Sequence, residues 1–191
     1  MSNREKYAPG PAAGAEVQKD GDKWTLVLVR ELPHPQARVW KALTDPEHLR
    51  EWAPFDSDRN LGAVGTAKLT TVGAPTLHVT DTHVKRADAP RALEYNWGGG
   101  DMRWELEPLQ GGGGTRLTLW ANIDRRYISM GAAGWHICFD VLERLLAGEP
   151  IGRIVGVEVM KFGGWQRLNA EYAKQFGVAP PSWPSRSDAT S

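Results

Sequence analysis

Five strand-like segments follow one another through the middle of the chain, and only short turns separate them. The segments are residues 64–72, 76–86, 91–97, 101–109 and 115–124. The turns between them are rich in glycine and proline, as in Gly73-Ala74-Pro75 and Gly98-Gly99-Gly100. Such short links join antiparallel neighbours, because a parallel crossover needs about a dozen residues or more. The sequence therefore predicts an antiparallel meander.

Apolar and polar residues alternate in two of these segments. The apolar members are Leu93, Tyr95 and Trp97 in one segment and Met102, Trp104 and Leu106 in the next. A period of two puts the apolar side chains on one face of a sheet and the polar side chains on the other. Another element must therefore cover the apolar face, because water would otherwise surround several large aromatic rings.

A helix over residues 130–147 is the predicted cover. Its large apolar residues recur at helical spacing, and they are Trp135, Phe139, Leu142 and Leu146. Gly148 follows them as a residue suited to a helix C-terminus. A second amphipathic stretch, 164–176, is predicted to extend the covering layer or to pack against an edge of the sheet.

The chain before the meander predicts a strand and two short helices. Residues 24–32 are rich in Val, Leu, Thr and Trp, which is typical of a strand. Pro35 suits the first turn of a helix that runs to Thr44. Asp45 and Pro46 then supply the N-cap and the first position of a second helix.

The composition fits one soluble domain and excludes several classes of protein. The chain has 23 Lys and Arg against 23 Asp and Glu, so it lacks the excess positive charge of an electrostatic nucleic-acid binder. A single cysteine, Cys138, excludes an internal disulfide framework and a multi-cysteine zinc site. No apolar run is long enough to span a membrane, and the start of the chain has no apolar signal-peptide segment. We therefore expect a cytoplasmic protein.

Three parts of the chain differ in composition. Residues 1–21 are rich in Ala, Gly and Pro and have no periodicity, so they are predicted to form a flexible leader. Residues 22–177 hold all the predicted helices and strands and form the folded domain. Residues 178–191 are predicted to form a flexible polar tail broken by prolines, in which Trp183 could dock on the domain.

Four motifs stand at fixed places in this order of elements. They are LPHPQARVWKALTDP at 32–46, PRALEY at 90–95, GTRLTL at 114–119 and GWH at 134–136. Their order and spacing resemble the START-like (Bet v 1-like, SRPBCC) superfamily, and within it the group related to the C-terminal domain of the Hsp90 ATPase activator. The resemblance covers about residues 24–176.

The resemblance implies an α+β helix-grip fold. In that fold a curved antiparallel sheet of about six strands surrounds a long C-terminal helix, and two short helices follow the first strand. An apolar cavity often lies between the sheet and the long helix. Members of the superfamily bind lipids, hormones, polyketides or other apolar molecules, some are cyclases or dehydratases, and one branch assists Hsp90. Since a fold does not determine a function, the function must be inferred from the residues of the site.

The polar residues show no strong catalytic or cofactor motif. The glycine runs lack the Gly-Lys-Ser/Thr of a phosphate-binding loop, and no His or Cys spacing is typical of a metal site, so neither cofactor nor metal is expected. His136 and Asp140 share a helix face at i, i+4, which indicates a solvated ion-pair face or, alternatively, a proton-transfer dyad. Cys138 is expected to be a buried core residue rather than a reactive thiol.

An aromatic set is the strongest candidate for a binding site. Its members are Trp52, Tyr95, Trp97, Trp104 and Trp135, all expected to border the space between sheet and helix. One interpretation is plain core packing, because such large rings can fill a core. The other is a ligand cavity lined by these rings, to which His83 or Asp81 would add a polar contact if its strand turns it inwards. Gly131 and Gly134 indicate either close approach of the helix to the sheet or space for a ligand.

The favoured hypothesis is a binding protein for a small hydrophobic or aromatic ligand held between the sheet and the long helix. One alternative is an enzyme of the cyclase, dehydratase or hydrolase type that uses Asp81 or His83. Another is a protein-interaction module of the Hsp90-helper type, which would use the outer face of the sheet. The charged residues of that face are Arg103, Glu105, Glu107 and Arg116. Neither a nucleic acid nor a chaperone is the expected partner, and a homodimer through 164–176 or a sheet edge is left open.

Overall fold

The computed structural model describes residues 1–181 and divides them into nine strands, three α-helices of the core, a short 3₁₀ helix and a last α-helix. The strands are β1 (Ala15–Asp20), β2 (Lys23–Leu32), β3 (Phe55–Ser57), β4 (Gly65–Thr71), β5 (His78–Val84), β6 (Arg86–Asp88), β7 (Ala92–Trp97), β8 (Gly100–Pro108) and β9 (Thr115–Asn122). The helices are α1 (Gln36–Thr44), α2 (Pro46–Trp52), α3 (Ile128–Leu146), the 3₁₀ helix (Gly156–Lys161) and α4 (Trp165–Phe176). Trp183, in the predicted tail, lies outside the described residues.

The strands form two antiparallel sheets rather than one. The larger sheet has six strands in the order β1-β2-β9-β8-β7-β6, and the smaller has the order β3-β4-β5. The predicted strand 76–86 changes partner at Lys85, because β5 pairs with β4 while β6 pairs with β7. The smaller sheet still lies against the larger, since the Thr82 hydroxyl donates to the Asn96 carbonyl oxygen at 2.7 Å.

Helix α3 covers the inner face of the larger sheet, as the alternation in the sequence predicts. The side chains that meet there are almost fully buried; they include Leu26, Leu28, Trp104, Leu106, Leu117, Leu119, Phe139 and Leu142. The helix begins two residues before its predicted start and ends at Leu146, and Gly148 follows with a φ of +79°. This curved sheet around a long helix, with α1 and α2 after β2, is the expected helix-grip fold.

The other predicted helices form for the reasons read from the sequence. The Asp45 side chain accepts a hydrogen bond from the Glu47 backbone N–H at 3.0 Å, and Pro46 occupies the first turn of α2. In α4 the predicted apolar stripe is buried; its members are Trp165, Leu168, Tyr172 and Phe176. The Ser129 hydroxyl of α3 also donates to the Asn169 side chain of α4 at 2.7 Å. The apolar stripe of α4 is thus buried within the same chain, where α4 packs against α3. Within residues 1–181, no helix is long and apolar enough to cross a bilayer.

The N-terminal residues depart from the expected flexible leader. Strand β1 pairs with β2 along the edge of the larger sheet. Before it, Tyr7 is 5% exposed, and its hydroxyl donates to Asp140 Oδ2 in α3 at 2.6 Å. The Arg4 guanidinium donates to three carbonyl oxygens between Ile151 and Arg153 at 2.8–3.0 Å. Local sequence could not reveal the order of residues 4–12, because the groups that Arg4, Tyr7 and Ala12 contact lie more than 130 residues away.

We predict that Tyr7→Phe lowers the free energy of unfolding by about 1.5–3 kcal/mol, the usual contribution of a hydrogen bond to a charged group. The ring stays in place, so the change isolates the bond to Asp140. Urea unfolding measures the effect, with the exposed Lys6→Ala as the matched control. A flexible leader would leave both variants as stable as the unmodified protein, and that result would contradict the structure.

Candidate functional site

A cavity of about 770 Å³ lies between the larger sheet and the N-terminal half of α3. The sheet side is lined by Trp97, Met102 and Ala121, and the helix side by Met130, Gly134, Trp135 and Cys138. These groups are apolar or only weakly polar. Ligand sites in proteins are typically concave and mostly apolar, with volumes of about 300–1,000 Å³. The cavity has the size and the chemistry of such a site.

The two glycines of α3 have different roles. A Cβ added at Gly131 would lie 2.7 Å from Ile123 Cδ1, the end of a side chain that follows β9, and Gly131 also lines the cavity. A Cβ added at Gly134 would meet no atom within 4 Å, and Gly134 lines the cavity. The sequence left the two interpretations open for both positions. The structure shows a tight contact with the Ile123 side chain at Gly131 and open space at Gly134, and both glycines border the cavity.

The floor of the cavity comes from a segment that the sequence analysis missed. Ile154, Val155 and Val159 line the cavity, and all three are buried. The segment is held where the smaller sheet meets it, because the Val157 N–H donates to the Gly73 carbonyl oxygen at 3.4 Å. Gly156 has a φ of +58°, and an added Cβ would collide with the Gly73 backbone, so only glycine fits there. The short apolar run lacks any periodicity that would have pointed to this role.

The aromatic set predicted from the sequence forms one cluster, but only two of its members reach the cavity. Trp97 and Trp135 line the cavity, and their ring centroids are 5.9 Å apart. Trp104 and Trp52 pack behind Trp135, with ring centroids 5.6 and 6.4 Å from it. Tyr95 is buried against Phe55, which in turn contacts Trp97 at 5.2 Å. Core packing and cavity lining are therefore both present, each for a part of the set.

Asp81 and His83 lie outside the cavity. Both are exposed, whereas Thr82 and Val84 between and after them are buried. The strand is regular and turns Thr82 and Val84 inwards, so its alternation sends the other two outwards. Asp81 instead forms an ion pair with Lys68 Nζ at 2.8 Å. The inclusion of His83 among the ligand-binding residues therefore needs correction.

Charged side chains are confined to the mouth of the cavity. Within residues 1–181 four border it, all of them exposed, and they are Asp22, Lys23, Asp124 and Arg126. Two of them pair with each other, since Arg126 Nε and Asp124 Oδ1 are 3.0 Å apart. Hydrogen bonds from Arg126 lower the pKa of Asp124 to about 2. The mouth thus carries two charges of each sign, and the lining behind it is mostly apolar.

Cys138 is the one thiol of the chain and lines the cavity. Burial raises the pKa of the Cys138 thiol to about 12. At neutral pH the group is therefore a protonated thiol, a poor nucleophile and a weak hydrogen-bond donor. This agrees with its expected role as a small core residue.

His136 and Asp140 belong to a separate, buried polar cluster. His136 is 4% exposed, and its Nδ1 lies 2.7 Å from the Tyr172 hydroxyl. Its Nε2 lies 3.7 Å from Asp140 Oδ2, and Arg30 Nη1 bonds Asp140 Oδ1 at 2.8 Å. Burial lowers the pKa of His136, which favours the neutral imidazole. The expected solvated face is instead an anchor, because Tyr172 also donates to the Ala13 carbonyl oxygen at 3.0 Å. None of these residues lines the cavity.

Several known proteins are similar to this chain. Solved structures with a related fold include a conserved protein of unknown function from Enterococcus faecalis, with 13% identity, a TM-score of 0.65 and coverage of 84% of this chain and 89% of that one. CalU16 from Micromonospora echinospora is 20% identical, with a TM-score of 0.57 and coverage of 90% and 97%. A protein from Bordetella parapertussis is 21% identical, with a TM-score of 0.58 and coverage of 91% and 97%. These likenesses show the fold alone.

Comparison with curated protein sequences gives no significant match. A family model, described as activator of Hsp90 ATPase homolog 1-like protein, matches residues 33–147, which is more than half of the chain. The matched region runs from the start of the two short helices to the end of α3. It thus includes the helix and the strands that form the two main walls of the cavity. The chain belongs to the activator of Hsp90 ATPase homolog 1-like family, within the SRPBCC superfamily.

Proposed function

We propose that this protein binds a small hydrophobic or aromatic molecule in the cavity between the larger sheet and α3, and does so as a soluble protein of the cytoplasm. The observation that carries the proposal is the cavity itself, about 770 Å³ in volume with an apolar interior. Of the predicted ligand-binding residues, Trp97 and Trp135 would contact the ligand. Trp52, Tyr95 and Trp104 would support these two rings from behind.

Apolar burial would supply most of the affinity. Transfer of apolar surface out of water contributes about 25 cal/mol per Å². The rings of Trp97 and Trp135 are tilted by 81° to each other, so a flat ligand could lie on one face and meet the edge of the other ring. The rings behind Trp135 fix its position, which reduces the entropy lost when a ligand is bound.

The geometry gives the two alternative functions no comparable support. The enzyme hypothesis depended on Asp81 or His83, and both lie outside the cavity. The interaction-module hypothesis depended on the outer face of the sheet. There Arg103 pairs with Glu105 at 3.3 Å, and Arg116 pairs with Glu31 at 3.0 Å. Exposed ion pairs of this kind are ordinary features of a solvated surface.

We predict that Gly134→Phe weakens the binding of neutral aromatic compounds by at least about tenfold, because the ring would occupy the cavity. Gly134→Ala is the matched control. Its methyl group leaves most of the space open, and alanine stabilises a helix by about 1 kcal/mol relative to glycine. Equilibrium dialysis against a series from naphthalene through fluorene to pyrene measures the affinities. If no member of the series binds, or if both variants bind as the unmodified protein does, the proposal is wrong.

We also predict that a bound aromatic compound protects Cys138. With a thiol pKa of about 12, the thiolate is scarce at pH 8, and we expect modification by a disulfide reagent to be at least about a hundredfold slower than in the unfolded chain. The tightest compound of the series should slow it further, because it would cover the cavity wall. An unchanged rate at saturating compound would place the binding site elsewhere.

A further inference from the structure

The four tryptophans of the aromatic cluster differ in what their indole N–H groups do. Trp52 donates to the Ala42 carbonyl oxygen at 2.9 Å. Trp97 donates to Thr71 Oγ1 at 3.2 Å, and Trp104 donates to the Tyr95 hydroxyl at 3.2 Å. Trp135 is the exception. Among residues 1–181, no protein group accepts a hydrogen bond from Trp135 Nε1.

The indole N–H of Trp135 belongs to a ring that borders the cavity. The side chain is about 95% buried and lines the cavity. Its Nε1 is nevertheless not among the polar atoms that are completely enclosed without a partner. The atom is therefore not completely sealed off from solvent, and the ring that carries it borders the cavity. A buried donor normally has a partner, because leaving it unpaired costs free energy.

The remaining groups of the cavity limit what that partner can be. Among residues 1–181 the charged residues that border the cavity stand at its exposed mouth, with two of each sign, so the interior that these residues form offers no counter-charge to an ionised ligand. The Cys138 thiol is protonated and could add only a weak hydrogen bond. An ionised group carried into such an interior would lose its hydration without compensation. The site therefore suits a neutral ligand with an acceptor atom placed at the Trp135 indole.

We infer that the ligand is a neutral polycyclic or aromatic compound with a carbonyl oxygen that accepts a hydrogen bond from Trp135 Nε1. This inference rests on the proposed function and names the chemical class of its ligand. Trp135 would thus select among apolar molecules. The apolar walls would bind the hydrocarbon body of many compounds, and the indole N–H would favour those with a carbonyl group at the matching position.

The test compares fluorenone with fluorene, which share a ring skeleton and differ by one carbonyl oxygen. Equilibrium dialysis gives the affinity ratio of the two compounds for each protein. We expect this ratio, fluorenone over fluorene, to fall about two- to tenfold in Trp135→Phe, the size of one hydrogen bond. Trp120→Phe is the matched control, and its ratio should stay at the unmodified value because the Trp120 ring packs against the Arg103 guanidinium and does not line the cavity.

A second measurement covers the case in which Trp135→Phe fails to fold. In the ¹H–¹⁵N spectrum of the unmodified protein, fluorenone should shift the indole proton of Trp135 downfield, and fluorene should not. Suppose that fluorene and fluorenone both bind. If Trp135→Phe then keeps the affinity ratio of the two compounds, or if the Trp135 indole signal responds equally to each compound, the inference is wrong and the proposed function stands. If neither compound nor any other of the aromatic series binds, the proposed function fails, and the inference fails with it.

Discussion

The packing of Trp135 against the inner face of the sheet is the contact on which the rest of the structure depends. Its ring meets Trp97, Trp104 and Trp52, which come from two strands and from α2. Phe139, one helical turn further on, contacts the same Trp104 ring. These contacts set the distance between α3 and the sheet. A large aromatic group at this point holds the first half of the helix in place while leaving room beside it.

The residues of α3 explain why the cavity lies at one end of the helix and not along its whole length. The second half carries Phe139, Leu142 and Leu146, which are buried on the sheet and fill the space there. The first half carries Gly131, Gly134 and Cys138 among its larger residues, and each of these small groups borders the cavity. The small groups on the helix leave a gap that the sheet residues opposite, Trp97, Met102 and Ala121, do not fill.

The sequence predicted the parts of the fold that depend on local pattern. The alternation in β7 and β8, the helical spacing from Trp135 to Leu146 and the cap at Asp45 all identify elements that the structure contains. The same pattern placed Trp97 and Trp135 correctly at the space between sheet and helix. The pattern could not show that Trp97 lines the cavity whereas Trp104 packs behind it. Both side chains lie on the same face of the sheet, and alternation identifies only the face.

The parts that were missed depend on distant contacts. Before β1, the N-terminal segment is held by Asp140 and by α4, and nothing in its own Ala-, Gly- and Pro-rich composition shows this. The cavity floor at 154–159 is held through the backbone of Gly73. The direction of His83 depends on whether β5 contains a bulge, and the sequence does not determine that. For the N-terminal segment and the cavity floor, the missing information is which remote segment meets the residue.

A crystal structure of the protein with bound fluorenone tests the central claim most directly. The account predicts electron density for the rings between Trp97, Trp135 and Gly134, with the carbonyl oxygen about 2.9 Å from Trp135 Nε1. Density for the compound on the outer face of the sheet, with the side chains of Trp135 and Met130 closing the cavity, would contradict it.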